Sequence, residues 1–308
     1  MAEYACETPQ TFDLEDREAW IKHLDEQGYV VLGNVLEPID HATIFKQFAE
    51  DWAYVTPGFD FHNKETWTTD NSPMMWNKGM IYASGLGQAN FMWQLRTHER
   101  VLSIWEGVHG TRELVTSFDG FSVFLDRKQK PGMWLHVDQR SEDPLYSIQG
   151  AYNFLPVGDH DAGFVVVPGS HRTFVSDPNC RGQFIGIPDE DPHVQRAVKL
   201  LIPGNSFVLW NSKTIHANVG MSKPKGREFN RLTTYIAMFP KAQRPKDIEQ
   251  KRLAGYRKAH NCGHYAIRHD VKGHPYGLKA RYEGRGFRTI EPKLTAEGDI
   301  PPERLDLI

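Results

Sequence analysis

Between residues 116 and 240 the chain consists of short apolar segments separated by turn-forming residues, and this succession constrains the fold more than any other feature. The segments either alternate apolar and polar residues or are apolar throughout, as β-strands with one or two buried faces do. Seven of them follow one another: 118–125, 133–137, 147–155, 163–167, 206–210, 214–219 and 232–239. Because no helix-length crossovers separate them, these segments predict a sandwich or a jelly-roll barrel rather than a parallel α/β sheet.

Helical segments flank this β-rich region on both sides. Residues 13–27 repeat apolar residues at helical spacing and are followed by Gly28, which commonly ends a helix. Asp40 is placed to cap a second helix, residues 99–109 carry one apolar face, and Pro245 suits the first turn of a C-terminal helix. We therefore predict a mainly β, α+β fold with flanking N-terminal helices and a C-terminal helical extension.

The length of 308 residues is compatible with one large domain. We predict a single domain, 1–308, with an N-terminal helical and irregular part at 1–115. The β core then occupies residues 116–240, and a C-terminal helix and tail occupy residues 241–308.

Charge and composition exclude several classes of protein. Lysine and arginine total 36 against 39 acidic residues, a formal net charge of −3, which argues against electrostatic binding to nucleic acids or anionic membranes. No segment approaches the roughly 20 apolar residues that span a bilayer, and the acidic first thirty residues lack the apolar segment of a secretory signal. The widely spaced Cys6, Cys180 and Cys262 suit free thiols, so we expect a cytoplasmic protein.

The pair His136 and Asp138 has the spacing of two metal ligands on one strand. Residues two apart on a β-strand project to the same side, so an imidazole and a carboxylate can reach one ion. His23 and Asp25 share this spacing, but they lie in the predicted first helix, where residues two apart diverge by about 200°. Only the pair at 136 and 138 therefore has the geometry of half a metal site.

His216, on a later predicted strand, is the candidate for a third ligand. Two histidines and one carboxylate form the facial triad that suits Fe(II) and leaves coordination positions open for catalysis. The alternative is an ordinary hydrogen-bonded histidine, since chance pairs are expected among 14 histidines. Arg231 and Thr233 begin the next strand on a shared face, where a guanidinium and a hydroxyl can bind a carboxylate, unless Arg231 forms an ordinary surface ion pair.

Five landmarks occur in order along the chain: Gln-Gly-Tyr-Val-Val-Leu at 27–32, the pair His136 and Asp138, Gly-Phe-Val-Val-Val-Pro-Gly-Ser-His-Arg at 163–172, His216 and Arg231. Together they resemble the phytanoyl-CoA dioxygenase-like branch of the Fe(II)/2-oxoglutarate-dependent oxygenases. The resemblance extends over roughly residues 13–240. It is more specific than any single landmark.

The resemblance implies a double-stranded β-helix (jelly-roll, cupin-like) core in which His136, Asp138 and His216 hold Fe(II). Arg231 with Thr233 would bind the far carboxylate of the cosubstrate 2-oxoglutarate, and O2 would take the last open position. The implied reaction hydroxylates or otherwise oxidises a C–H bond of a small organic substrate, with release of succinate and CO2. Halogenating members need the position of Asp138 vacated, so hydroxylation is preferred.

The chain departs from the family pattern between His216 and Arg231. A lysine- and glycine-rich stretch at 223–227 lengthens this spacer, so Arg227 is an alternative to Arg231 as the carboxylate-binding residue. Polar or aromatic residues near the triad are candidates for the substrate pocket, with core packing or strand pairing as the alternative for each: Trp134, Gln139, Tyr152 and Asn218, then Gln149 and Trp210.

Two further interpretations remain open. The cluster at 260–264, with His269 and His274, resembles part of a zinc site, although the spacing is a weak match. The alternative function is a metal-binding cupin-type isomerase or ligand-binding protein without oxygen chemistry.

Overall fold

A computed structural model describes residues 4–68, 70–72, 79–81, 84–126, 134–180, 182, 184–226, 229–268 and 286–308. Its contacts divide the chain into two compact units, each built from two separate segments. Unit 1 comprises Met1–Val35 and Phe124–Thr233, and unit 2 comprises Leu36–Val123 and Thr234–Ile308. That the whole chain acts as one domain stays a prediction.

In chain order the strands of the described residues are β1 (Ala5–Glu7), β2 (Thr11–Phe12), β3 (Tyr29–Leu32), β4 (Met80–Ile81), β5 (Leu114–Thr116), β6 (Phe121–Leu125), β7 (His136–Val137), β8 (Ile148–Asn153), β9 (Gly163–Val166), β10 (Ile185–Gly186), β11 (Val198–Leu200), β12 (Ser206–Asn211), β13 (His216–Val219), β14 (Phe229–Tyr235) and β15 (Met238–Pro240). The helices are α1 (Arg17–Gln27), α2 (Pro38–Val55), α3 (Asn90–Arg96), α4 (Glu99–His109), α5 (Ser170–Thr173), α6 (Lys246–Arg257) and α7 (Pro302–Leu305). Short 3-10 turns cover Lys64–Thr66, Leu86–Gln88, Pro192–Arg196 and Lys241–Gln243.

Unit 1 contains two sheets whose side chains meet in its interior. The first has the strand order β1-β11-β9-β13-β7-β10, and in the second the strands β2, β3, β12, β8 and β14 follow one another. The pairs of β12 with β8 and of β13 with β9 are antiparallel, whereas β1 with β11 and β2 with β3 are parallel. The ring centroids of Phe164 on the first sheet and Trp210 on the second lie 5.0 Å apart, so the two sheets pack against each other.

Strand alternation assigns the two faces of the first sheet different roles. Val137, Val165 and Ala217 belong to a buried apolar cluster on one face. His136 and His216 are their immediate neighbours in sequence and therefore project to the opposite face, toward the second sheet. A shift of register by one residue would exchange the two sets.

Unit 2 is organised around the N-terminal helices. The ring of Phe48 on α2 contacts Trp52 on the same helix, Phe91 on α3 and Phe121 on β6, with centroid separations between 5.2 and 5.9 Å. Strands β5 and β15 of this unit pair antiparallel. Among the described residues, no helix is both long and apolar enough to cross a lipid bilayer.

Several predicted boundaries differ from those observed. Helix α2 begins at Pro38, before the predicted cap Asp40, because Glu37 is extended and proline suits the first helical position. The predicted strand at 232–239 is divided into β14 and β15. Helix α1 ends as predicted, with Gly28 at a left-handed φ of 76° and its N–H bound to the carbonyl oxygen of Leu24.

Gly28 also fits closely against two side chains of unit 1. A Cβ atom at this position would collide with the His171 ring and the Thr214 hydroxyl. The Thr214 hydroxyl donates a hydrogen bond to the Gly28 carbonyl oxygen at 2.8 Å, so the glycine packs directly against the segment that leads into β13.

We expect Gly28→Ala to lower the free energy of unfolding by about 2 to 4 kcal/mol, from the left-handed backbone and the steric collision together. Gly169→Ala is the matched control, because Gly169 has a φ of 73° but no neighbouring atom within 4 Å of its Cβ position. The control should cost about 1 to 2 kcal/mol. Denaturant unfolding measures both, and equal losses would contradict the close packing at Gly28.

Candidate metal centre

The three predicted ligands, His136, Asp138 and His216, meet in the interior of unit 1. His216 on β13 pairs directly with His136 on β7, so strand register places the two imidazoles side by side, with ring centroids 4.3 Å apart. The Oδ2 atom of Asp138 lies 3.6 Å from Nε2 of His136 and 3.4 Å from Nε2 of His216. Within the described parts of the chain, these three residues are the one cluster with metal-ligand geometry, and their ligand atoms all lie within 4.8 Å of one another.

Backbone hydrogen bonds determine which nitrogen of each imidazole faces the cluster. Nδ1 of His136 lies 3.0 Å from the Trp134 carbonyl oxygen, and Nδ1 of His216 lies 2.8 Å from the Thr214 carbonyl oxygen. A carbonyl oxygen only accepts, so each Nδ1 carries the proton. The Nε2 lone pairs are therefore directed at Asp138, which is the arrangement that neutral histidine ligands adopt in metal sites.

Burial favours the uncharged form of the His136 imidazole. Burial, reinforced by the neighbouring His216, lowers the pKa of His136 below the ordinary histidine value, while Asp138 opposes this shift. A neutral imidazole keeps the lone pair that a metal ion needs. In a six-coordinate site with bonds of about 2.1 Å, neighbouring ligand atoms lie about 3 Å apart. The separations of 3.6 and 3.4 Å between Asp138 and the two imidazoles are compatible with a small divalent cation after a slight contraction.

Aromatic rings enclose the imidazole of His136. Trp134 stacks on it at 4.7 Å and 11°, and Phe184 stacks at 4.6 Å and 28°. Trp134 also donates its indole N–H to the Asn218 carbonyl oxygen at 2.7 Å. Phe184, which is 55% exposed, was missed by the sequence reasoning; its one signal is an aromatic residue just before the edge strand β10.

The segment leading to His216 is held by the Pro-Gly-Ser-His turn. The N–H of Ile215 donates to the Ser170 hydroxyl at 2.8 Å, and the N–H of Val167 donates to the Ile215 carbonyl oxygen at 2.9 Å. Nε2 of His171 donates to the Asp25 carbonyl oxygen at 2.9 Å, outside the metal cluster. The turn therefore supports β13 rather than supplying a ligand.

Arg231 and Thr233 project from one face of β14 and are both buried. Arg231 donates from Nη1 to the Asn218 side-chain oxygen at 2.7 Å, and Thr233 donates to the Asn153 side-chain oxygen at 3.0 Å. Asn218 follows His216 by two residues on β13, so it shares the face that carries the metal cluster. The hydrogen bond from Arg231 to the Asn218 side chain thus connects Arg231 to that face.

The long spacer before Arg231 is anchored by two carboxylates. The backbone N–H groups of Lys225 and Gly226 donate to Asp126, and the Lys225 ammonium lies 3.2 Å from Asp161. This anchoring accommodates the additional residues while β14 keeps its place beside β8. The alternative residue, Arg227, lies outside the described residues.

Two of the predicted pocket residues form hydrogen bonds to groups outside the cluster. Tyr152 lies on the face of β8 opposite to Asn153, and its hydroxyl donates to Asn205 at 2.8 Å. Gln139 donates to the Leu145 carbonyl oxygen at 2.7 Å. The structure brings four other predicted pocket residues to the cluster: Trp134, Asn218, Gln149 and Trp210.

The weaker zinc hypothesis concerns residues of unit 2. The Cys262 sulfur accepts a hydrogen bond from the Phe118 N–H at 3.0 Å, and the Arg252 guanidinium lies 3.8 Å from it. Burial raises the pKa of this thiol, which disfavours the thiolate that zinc requires. The proposed partners His269 and His274 lie outside the described residues.

No protein-family model matches the sequence. "Ava biosynthesis cluster protein O" of Aspergillus versicolor is 25% identical over 244 residues, which cover 72% of this chain and 77% of that protein.

Solved structures with similar folds include the epimerase SnoN in complex with Fe3+, alpha ketoglutarate and nogalamycin RO (15% identity, 74% of this chain and 84% of that chain, TM-score 0.54). They also include SnoK, a non-heme alpha ketoglutarate dependent carbocyclase from nogalamycin biosynthesis (15% identity, 74% of this chain and 86% of that chain, TM-score 0.51). A third is EctD from S. alaskensis with 2-oxoglutarate and 5-hydroxyectoine (16% identity, 75% of this chain and 78% of that chain, TM-score 0.50). The predicted jelly-roll core with flanking helices is confirmed by these likenesses.

We expect a divalent metal ion to stabilise the protein through this cluster. Anaerobic Fe(II) or Co(II) at 100 times its Kd should add about 2.7 kcal/mol to the free energy of unfolding. His216→Ala should abolish this gain, whereas His193→Ala should keep it, because His193 pairs with Asp191 at 2.7 Å outside the cluster. Thermal unfolding with and without metal measures the gain; an equal gain in the His216→Ala protein would contradict the site.

Proposed function

We propose that this protein is an Fe(II)- and 2-oxoglutarate-dependent dioxygenase that oxidises a C–H bond of a small organic substrate, with hydroxylation as the favoured outcome. The observation that carries the proposal is the convergence of two imidazole nitrogens and one carboxylate oxygen on a single point. Three such ligands fill one face of an octahedral site and leave three positions for other molecules.

When bound, Fe(II) in such a triad supplies the redox chemistry by which O2 and 2-oxoglutarate are converted to an oxidant, succinate and CO2. His136, Asp138 and His216 would hold the metal and fix its open positions. Their backbone-bonded Nδ1 atoms keep both imidazoles oriented throughout. The presence of Asp138 favours hydroxylation over halogenation, which needs that position vacated.

Arg231 and Thr233 would bind the far carboxylate of 2-oxoglutarate. A buried guanidinium forms stronger hydrogen bonds to a carboxylate than an exposed one, and its planar shape allows two parallel bonds. Asn218 holds Arg231 at 2.7 Å and so fixes the direction of the guanidinium on the face that also carries His216. Trp134 and Phe184 would form an aromatic wall beside the metal, against which an apolar part of the substrate can pack.

The solved structures of similar fold favour a second outcome for the same site. SnoN is an epimerase and SnoK a carbocyclase, so this fold also carries reactions other than hydroxylation. Oxidation of a C–H bond without net insertion of oxygen is therefore the alternative for this protein. A cupin-type isomerase or ligand-binding protein without oxygen chemistry is the further alternative, and the experiments below distinguish it.

Cellular context and partners are part of the proposal. Cys6, Cys180 and Cys262 are all free thiols, as expected in a reducing compartment, so we place the protein in the cytoplasm. Its partner would be a small molecule rather than a nucleic acid or a membrane, in line with the net charge of −3.

Production of succinate tests the proposed reaction. Protein supplied with Fe(II), 2-oxoglutarate, O2 and a metabolite extract should release succinate, and His136→Ala or Asp138→Ala should reduce the rate at least a hundredfold, because either change removes a metal ligand. His193→Ala, outside the cluster, is the control and should retain the rate. Undiminished succinate from both ligand variants would refute the assignment of these ligands.

Binding of 2-oxoglutarate tests the role of Arg231. Anaerobic titration into the Fe(II) protein should produce a weak visible charge-transfer band, and Arg231→Lys should raise the Kd roughly 10- to 100-fold by removing a bidentate, charge-assisted contact of about 1.5 to 3 kcal/mol. Arg196→Lys is the control, since Arg196 donates to the Pro168 carbonyl oxygen on the surface. The absence of a band, with no effect of Arg231→Lys, would favour the cupin alternative.

A further inference from the structure

Gln149 makes a direct contact with the carboxylate of the metal cluster. Its Nε2 lies 3.0 Å from Oδ2 of Asp138, the same oxygen that faces both histidines. Gln149 belongs to β8 in the second sheet and pairs with Trp210 of β12, whose ring lies 5.4 Å from His216. The contact therefore reaches across the interior of unit 1, from one sheet to the ligand carried by the other.

The direction of the Gln149 amide is determined by its surroundings. A carboxylate only accepts, so the NH2 group must face Asp138. The same nitrogen lies 3.3 Å from the Ser212 hydroxyl, which pairs with the Ser147 hydroxyl at 2.8 Å. The backbone carbonyl oxygen of Ser212 also accepts the backbone N–H of Asp138 at 2.9 Å, so one short segment positions both the ligand and the glutamine.

We propose that Gln149 is a positioning residue that selects the oxygen of Asp138 presented to the metal and holds the carboxylate in the orientation that binds it. The inference rests on the proposed metal site and deepens it. A hydrogen bond from an amide to a carboxylate oxygen restricts rotation of the carboxylate, so its loss weakens metal binding. Asp138 follows a strand of only two residues, so its orientation depends on contacts from neighbouring strands.

The competing explanation is that Gln149 only fills space in the interior. Gln149→Met separates the two explanations, because methionine has a similar length and volume but donates no hydrogen bond. Gln139→Met is the matched control: Gln139 is also buried and directly follows Asp138, but its amide donates to the Leu145 carbonyl oxygen. A purely structural role predicts that both variants change stability alone.

The test is an anaerobic titration of each apoprotein with Co(II), followed by its visible absorption and by thermal unfolding. Gln149→Met should raise the Kd for Co(II) roughly 10-fold and shift the ligand-field band, as loss of a partner of a ligating carboxylate does. Gln139→Met should leave both the Kd and the band position unchanged. A lower Tm in the Gln149→Met protein, with an unchanged Kd and band, would overturn the inference.

A second variant carries the test if Gln149→Met does not fold. Ser212→Ala removes the hydroxyl beside the Gln149 amide and should shift the band in the same direction by a smaller amount, with a Kd about threefold higher. An unchanged band and Kd in that variant would overturn the inference. Failure of the proposed function looks different: the unaltered protein would then bind no Co(II), or would bind Fe(II) without releasing succinate.

Discussion

The antiparallel pairing of β7 with β13 is the contact on which the proposed site depends. It sets His216 directly opposite His136, on the face turned toward the second sheet. Because β7 has only two residues, the pairing needs support from outside, and the Pro-Gly-Ser-His turn supplies it through Ser170, together with the contact of Thr214 and Gly28. The site therefore depends on strand register as much as on the identity of its ligands.

Burial gives the cluster its chemical character. Two imidazoles whose Nδ1 atoms donate to backbone carbonyl oxygens direct their Nε2 atoms at a carboxylate, an arrangement that a cation stabilises. The neighbouring contacts orient these ligands: Trp134 stacks on His136, Gln149 donates to Asp138, and Asn218 joins β13 to Arg231. Ligands, cosubstrate residues and their supports thus belong to the facing surfaces of two sheets in one unit.

The sequence predicts those parts of the molecule that local periodicity determines. Alternation of apolar residues indicated the strands, and the two-residue spacing of His136 and Asp138 placed both side chains on one face. Pairing between distant strands is not encoded in any local pattern. The position of Phe184 beside His136 could therefore not be predicted. Nor could the sequence tell that Gln149 faces the cluster and Tyr152 the opposite side of β8. The start of α2 was misplaced for a local reason, since proline and aspartate both favour helix N-termini.

An anaerobic crystal structure of the protein with Fe(II) and 2-oxoglutarate tests the central claim most directly. The account predicts one iron bound by Nε2 of His136, Nε2 of His216 and a carboxylate oxygen of Asp138, with 2-oxoglutarate at two further positions and its far carboxylate on Arg231. An iron bound elsewhere, or one whose coordination is completed by protein side chains alone, would contradict it.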